Sequence, residues 1–171
     1  MPTFITATQA HDWPALKSVR LQSLREAPRA FLLTLQDAAQ YSDLDWQMRA
    51  AHQTPPKYFI AHDGATPVGM CGAVLQEREV LVVAMWVAPS HRGQGLGKRL
   101  IQAVVDYARS VHADALTLLV AAANTQARQL YQSAGFTEAA DAMEPNPSDP
   151  GLNLHSMRLS ISQDNSAPCT S

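Results

Sequence analysis

With 171 residues, 46% of them apolar, and a net charge of −2 at pH 7, the chain has the material for one domain with a sizeable core. That charge excludes a general nucleic-acid binder, and the absence of an apolar run of membrane-spanning length excludes a transmembrane protein. Two cysteines, Cys71 in an apolar segment and Cys169 in a polar one, exclude a disulfide framework and point to a reducing cytoplasm. The first residues show neither the basic start nor the apolar stretch of a signal peptide.

Residues 4–8 alternate like an edge strand, and Asp12 is placed to cap a helix that buries Leu16, Val19 and Leu24 and stops at Pro28. An irregular connection follows over residues 31–45, carrying Phe31 and Tyr41, and Asp43 starts a short helix through Trp46 and Met48. Residues 58–61 read as a strand closed by Asp63-Gly64, and 68–75 and 80–87 as longer strands about the charged turn 76–79. Leu96, Leu100, Ala103, Val104 and Tyr107 recur at helical spacing, residues 115–120 read as a strand, and Asn124 caps a helix carrying Ala127, Leu130, Tyr131 and Ala134 on one stripe. Gly135 stands where a left-handed cap is wanted, with Phe136 as its apolar partner. Strands are expected over 136–139 and 152–161, separated by a segment, 143–151, whose three prolines exclude regular structure. Residues 1–161 therefore read as the single domain and 162–171 as a flexible tail. His11, His52, His62, His91, His112 and His155 show no ligand spacing, so no metal site is expected.

The most informative stretch joins the 80–87 strand to the next helix: Arg92-Gly93-Gln94-Gly95-Leu96-Gly97-Lys98. Glycines let backbone N–H groups close on an anion, and the helix N-terminus adds unpaired N–H groups and a positive dipole end. No acid lies between Glu79 and Asp106, whereas Arg92, Lys98 and Arg99 do, so a polyanionic ligand is expected. A Walker A loop fails, because Arg92 stands at its first glycine and Arg99 at its hydroxyl position. A Rossmann fingerprint fails too, with Lys98 at its third glycine.

Arg92, Gly95 and Gly97 instead resemble the acetyl-CoA pyrophosphate loop of the Gcn5-related N-acetyltransferase (GNAT) family, whose pattern is Gln or Arg, two residues, Gly, one residue, Gly or Ala. The string from Asn124 through Ala127, Leu130 and Tyr131 to Gly135-Phe136 resembles that family's second signature. The resemblance covers residues 4–161, its specific part 87–136. It implies an α/β fold with a mixed, mostly antiparallel sheet of about seven strands flanked by about four helices. It also implies that the pantetheine arm of acetyl-CoA lies along Met85 and Val87, with Trp86 on the opposite face. The pyrophosphate would take the N–H groups of Gln94, Gly95, Leu96, Gly97 and Lys98, with Gly93 opening the approach and Arg92 and Lys98 near the phosphates. Asn124 and Ala127 would meet the pantetheine, and Tyr131 would aim its hydroxyl at the sulfur, unless it is simply a core tyrosine.

Acetyl transfer to an amine needs a neutral nucleophile, a stabilised oxyanion and a protonated leaving thiolate. A phenol of pKa ~10 can donate to a thiolate whose conjugate acid lies near ~8.5, which makes Tyr131 the general acid. The backbone N–H of Val87 is the expected oxyanion donor. For the base, Glu79 stands six positions from Met85, roughly 20 Å along an extended chain, which leaves His155 as a candidate against an ordinary packed histidine. Phe31, Tyr41, Trp86 and the proline-rich segment are expected to form the acceptor pocket. The resulting expectation is an acetyl-CoA-dependent N-acetyltransferase acting by direct attack of a primary amine, on a small molecule or an amino acid derivative. Two alternatives stand beside it. One is acetylation of protein N-termini or lysines, against which Leu119 counts, because such relatives often carry Glu there; the other is a catalytically silent acyl-CoA sensor. No nucleic-acid or membrane partner is expected, and a homodimer is allowed.

Overall fold

A computed structural model describes the backbone of residues 2–146 and 149–161 and the side chains of residues 2–139 and 153–161. The tail expected over 162–171 lies outside them, as do the side chains of the proline-rich segment expected at the acceptor pocket. Elements follow in the order β1 (Thr3–Ala7), α1 (Trp13–Glu26), α2 (Leu35–Ala39), α3 (Asp43–Ala50), β2 (Lys57–Asp63), β3 (Thr66–Gln76), β4 (Glu79–Val87), α4 (Leu96–Ser110), β5 (Ala115–Ala121), α5 (Thr125–Ser133), β6 (Thr137–Asn146) and β7 (Asp149–Ser160). The strands form one sheet in the order β1-β2-β3-β4-β5-β7-β6, antiparallel except where β4 meets β5. No helix among the described residues is long and apolar enough to cross a membrane.

Strand alternation sends side chains to two helical layers. Phe59 faces α4, its ring 6.3 Å from that of Tyr107, and its neighbour Tyr58 faces the opposite layer, where Arg20 of α1 and Arg49 of α3 lie beside it. Leu16, Val19 and Leu24 are buried under α1 as their spacing predicts, and so are Arg20 and Ser23, which that spacing does not. On α4, Leu96, Leu100, Ile101, Val104, Val105 and Ala108 fill the other layer. Each such aliphatic side chain contributes roughly 1.5–3 kcal/mol.

Three expectations need correction. The 31–45 connection is not wholly irregular, because it contains α2, one of five α-helices among the described residues. Thr34 starts it, its hydroxyl accepting the Asp37 N–H at 3.1 Å. Asp12 does not cap α1 with its side chain; the carboxylate turns back to accept the Gln9 N–H at 2.8 Å. α3 starts at Asp43 as expected, with Ser42 as its cap in a reciprocal pair with Asp45. Finally, segment 143–151 is not wholly irregular, since β6 runs to Asn146 and β7 begins at Asp149. Proline survives there because β6 is an edge strand, and β7 before Asn153 reaches past β5, so each has an unpaired side that needs no N–H donor.

α5 ends as its glycine predicts. Gly135 takes φ 98°, and the Phe136 N–H reaches back to the Tyr131 carbonyl at 3.0 Å, a Schellman closure.

Candidate active site

β4 and β5 pair only from Glu79 to Leu81 and from Ala115 to Thr117. Beyond that they part, leaving a wedge in the sheet with backbone groups on both walls. On its other side β4 carries a bulge, for Met70 stands opposite Trp86 and Gly72 opposite Val83, so that Cys71 alone faces both Ala84 and Met85. Ala84 holds φ 54°, a conformation that costs a non-glycine residue roughly 1–2 kcal/mol. Just past the bulge, the Ala88 N–H turns to Val68 O at 2.8 Å. By alternation along the strand, the Val87 N–H points the other way, into the wedge.

At the mouth of the wedge lies the glycine loop. The backbone N–H groups of residues 93–98 have no acceptor among the described residues, and the first to close the helix is that of Arg99, on Gly95 O at 3.1 Å. Gly93 and Gly95 reach φ 75° and 80°, which turns successive amides outward as a concave row of donors. Gly97 serves a different need: a Cβ there would stand 2.8 Å from Leu130 Cδ2, so its smallness lets α4 and α5 close together. Lys98 and Arg92 flank the row, and among the described residues Glu26 is the one carboxylate lining the cleft. Unpaired donors, a helix N-terminus and two cations fit a pyrophosphate.

The loop and the wedge open into one cleft of about 640 Å³. Met85, Trp86, Val87, Arg92, Gly93, Gly95, Leu96, Gly97, Lys98, Asn124, Ala127, Tyr131 and Phe31 all line it, bringing together most of the residues that the sequence assigned to the site. Asn124 caps α5, its Oδ1 accepting the Ala127 N–H at 3.1 Å, which leaves its amide N–H groups for the cleft. Gln94 lies outside the cleft lining, its Nε2 donating to Ser90 O at 3.1 Å. Tyr131 is 7% exposed, with its ring edge-on to Phe136; burial pushes its phenol above the ordinary range, and nearby Cys71 adds to the shift.

Two further assigned residues fall outside the cleft lining. Tyr41 does not line the cleft, because α2 takes up the connection and leaves Tyr41 edge-on to Trp46, 5.5 Å away, under the Arg49 guanidinium. His155, the base candidate, also lies outside the cleft lining; its Nδ1 is buried 3.8 Å from Glu138, whose carboxylate Arg128 already holds.

The sequence reading passed over Glu26. Its carboxylate accepts from Trp86 Nε1 at 2.9 Å and from Arg92 Nη2 at 2.9 Å. These two bonds hold it below the usual carboxylate range, against a smaller opposing effect of burial. Arg92 also donates from Nε to Val87 O at 2.9 Å, so its side chain braces the loop against β4.

Cys71 is no nucleophile. It is fully buried, with Sγ 3.9 Å from the carbonyls of Gly72 and Val83, and burial pushes its thiol up to about 12. At pH 8 about one such thiol in ten thousand is ionised, against about a quarter for a free cysteine of pKa ~8.5. Iodoacetamide is therefore expected to label Cys71 about a thousand times more slowly in native protein than in denaturant, as read by peptide mass spectrometry. Comparable rates would mean that water reaches the bulge.

A family model described as Acetyltransferase (GNAT) family matches residues 21–136. Mycothiol acetyltransferase from Beutenbergia cavernae is 28% identical over 138 residues, a match covering 79% of this chain and 43% of that protein. The chain thus spans less than half the length of that relative. Among solved structures, a GNAT-family acetyltransferase from Streptococcus pneumoniae superimposes with a TM-score of 0.78 at 16% identity, covering 94% of this chain and 100% of the other. Spermidine N-acetyltransferase from Vibrio cholerae, solved in complex with CoA and spermine, does so at 0.73 and 18% identity, covering 94% and 96%. At these identities the two structures speak to the fold.

Proposed function

The chain belongs to the GNAT family of acetyltransferases, and on that premise we propose that it transfers an acetyl group from acetyl-CoA to a primary amine of a small molecule or amino acid derivative. The observation that carries this reading is the row of unpaired N–H groups over residues 93–98, opening directly onto a wedge walled by Val87 and Tyr131. Acetyl-CoA would supply the acetyl group as an activated thioester. The loop amides and Lys98 would hold its pyrophosphate, and the edge of β4 from Met85 to Val87 its pantetheine arm, as an added strand. The Val87 N–H would donate to the acyl oxygen, worth ~2.7–4 kcal/mol if it behaves as oxyanion donors elsewhere do. Tyr131 would hold its proton toward the departing sulfur. Cys71, free and buried, suits a reducing cytoplasm.

Glu26 meets the acceptor in this reading. A carboxylate held below the usual range stays ionised and binds an ammonium, but it is a poor base. Replacing Glu26 by alanine removes a charged hydrogen-bond partner and leaves Trp86 Nε1 unpaired. The KM for the amine is expected to rise about 10- to 100-fold, the equivalent of ~1.5–3 kcal/mol, and steady-state kinetics at fixed acetyl-CoA reads it. An unchanged KM would remove Glu26 from the acceptor site.

Incubation with acetyl-CoA and a panel of free amines and peptides, followed by thiol release, tests the reading as a whole. Amine-dependent release is expected with small amines. Release only with peptides would favour protein acetylation, and tight CoA binding with no release for any amine would favour a sensor.

A further inference from the structure

α1 carries a charge into the protein that the transfer reaction does not use. Arg20 is 6% exposed, and its Nε and Nη1 are buried without a hydrogen-bond partner. Its surroundings are the phenols of Tyr58 and Tyr41 and a second cation, Arg49, whose own Nε is likewise buried and unpartnered. No carboxylate pairs with Arg20 among the described residues. A guanidinium does not escape burial by losing its proton at any ordinary pH. Arg49 has the carboxylate of Asp45 in its field and a hydrogen bond with Tyr58, whereas Arg20, with two orphaned donors and no carboxylate beside it, costs the fold stability.

Their position suggests what they are for. The Arg20 guanidinium lies 4.6 Å from the Phe31 ring, and Phe31 lines the cleft together with Trp86 and Tyr131. α1 covers the Tyr58 face of the sheet, whereas α4, which the glycine loop opens, covers the Phe59 face. The buried cations therefore sit on the face of the sheet opposite α4, and Arg20 is one aromatic ring away from the cleft. Glu26, a turn and a half further along α1, is ready for an amine.

We propose that Arg20, with Arg49 beside it, recognises a carboxylate on the acceptor, which narrows the substrate class to amino acids and short peptides with a free carboxylate, polyamines being excluded. This rests on the acetyl-transfer reading of the cleft. The planar fork of Arg20 suits bidentate pairing with a carboxylate, and entry of the acceptor swings the Phe31 ring aside.

Calorimetric titration in the presence of CoA, using N-acetylated amino acids and dipeptides beside their neutral carboxamides, tests the proposal on product-like probes. The wild-type protein is expected to bind carboxylates at least tenfold more tightly than carboxamides. Arg20→Met should lose that margin while keeping its CoA affinity and a melting temperature no lower than wild type, since an unpaired buried charge is gone. Equal binding of the two probe classes by wild type, a comparison that needs no variant, would overturn the proposal, as would a margin that survives in Arg20→Met. Thiol-release assays run in parallel separate the two readings. Turnover of polyamines and neutral amines alone sinks the carboxylate site and leaves acetyl transfer standing; no turnover with any amine sinks acetyl transfer, and the titration still decides the anion site.

Discussion

Replacing Gly95 by valine is expected to weaken CoA binding at least about 100-fold while the protein remains folded. Gly95 precedes the first turn of α4 at φ 80°, a region that a β-branched residue enters only with strain, of order 1–3 kcal/mol. The fold can absorb part of that, because a Cβ at Gly95 would meet nothing within 4 Å. The loop cannot keep its function, because relief of the strain rotates the neighbouring peptide planes and the N–H groups of residues 93–98 then no longer converge. A hydrogen bond from such an amide to a charged phosphate is worth ~1.5–3 kcal/mol, so losing two would cost about 3–6 kcal/mol, or about 100-fold and upward in affinity. Isothermal titration with CoA reads the loss, and a thermal melt shows whether the fold has survived. Gly97 is a different case despite its place in the same motif, since a side chain there meets Leu130 first and disturbs the contact of α4 with α5. Unaltered CoA affinity in Gly95→Val would mean that the loop does not hold the phosphates.

The second large effect is expected at Tyr131. Tyr131→Phe keeps the buried ring and its edge-on contact with Phe136, 5.8 Å away, and removes only the hydroxyl, so CoA affinity should stay within about threefold while kcat falls about 100- to 1000-fold. Burial raises the phenol above its ordinary ~10, which makes complete proton transfer to a thiolate of ~8.5 unfavourable by more than about 2 kcal/mol. In the proposed reaction Tyr131 would therefore act chiefly as a hydrogen-bond donor that stays protonated. The pH dependence follows from the sign of that shift. A tyrosine whose folded pKa is raised contributes stability that is fully present below the unfolded value of ~10 and is lost as pH rises through the folded one. Tyr131 should accordingly give no alkaline limb in kcat below about pH 10. An intact kcat in Tyr131→Phe would return the residue to a purely packing role.

Residues that act through local backbone geometry were legible in the sequence. Gly93, Gly95 and Gly135 take the left-handed conformations that only glycine takes freely, and Asn124 caps α5 as its type and place imply. What could not be read depends on chain crossings or on residues acting against type. Ala84 adopts φ 54° with no glycine to announce it, so the bulge shows only in the register of β3 and β4. Glu26 meets Trp86 across sixty positions, a contact that only the crossing of α1 over the sheet creates. Arg20 was hidden in plain view: Leu16, Val19 and Leu24 define a stripe on α1, and the polar Arg20 and Ser23 lie buried on that same stripe. Tyr41 was placed at the acceptor pocket because α2, five residues long, is too short for a periodic signal. The prolines of 143–151 argued against strands because edge position, which makes proline tolerable, is a property of the sheet and not of the segment.

A structure of the CoA complex decides whether the glycine loop and the wedge hold the acetyl donor. The pyrophosphate is expected on the N–H groups of residues 93–98, the pantetheine arm in the wedge between β4 and β5, and the thiol within hydrogen-bonding reach of the Tyr131 hydroxyl. CoA bound away from the glycine loop, or a thiol that does not reach Tyr131, would contradict that placement.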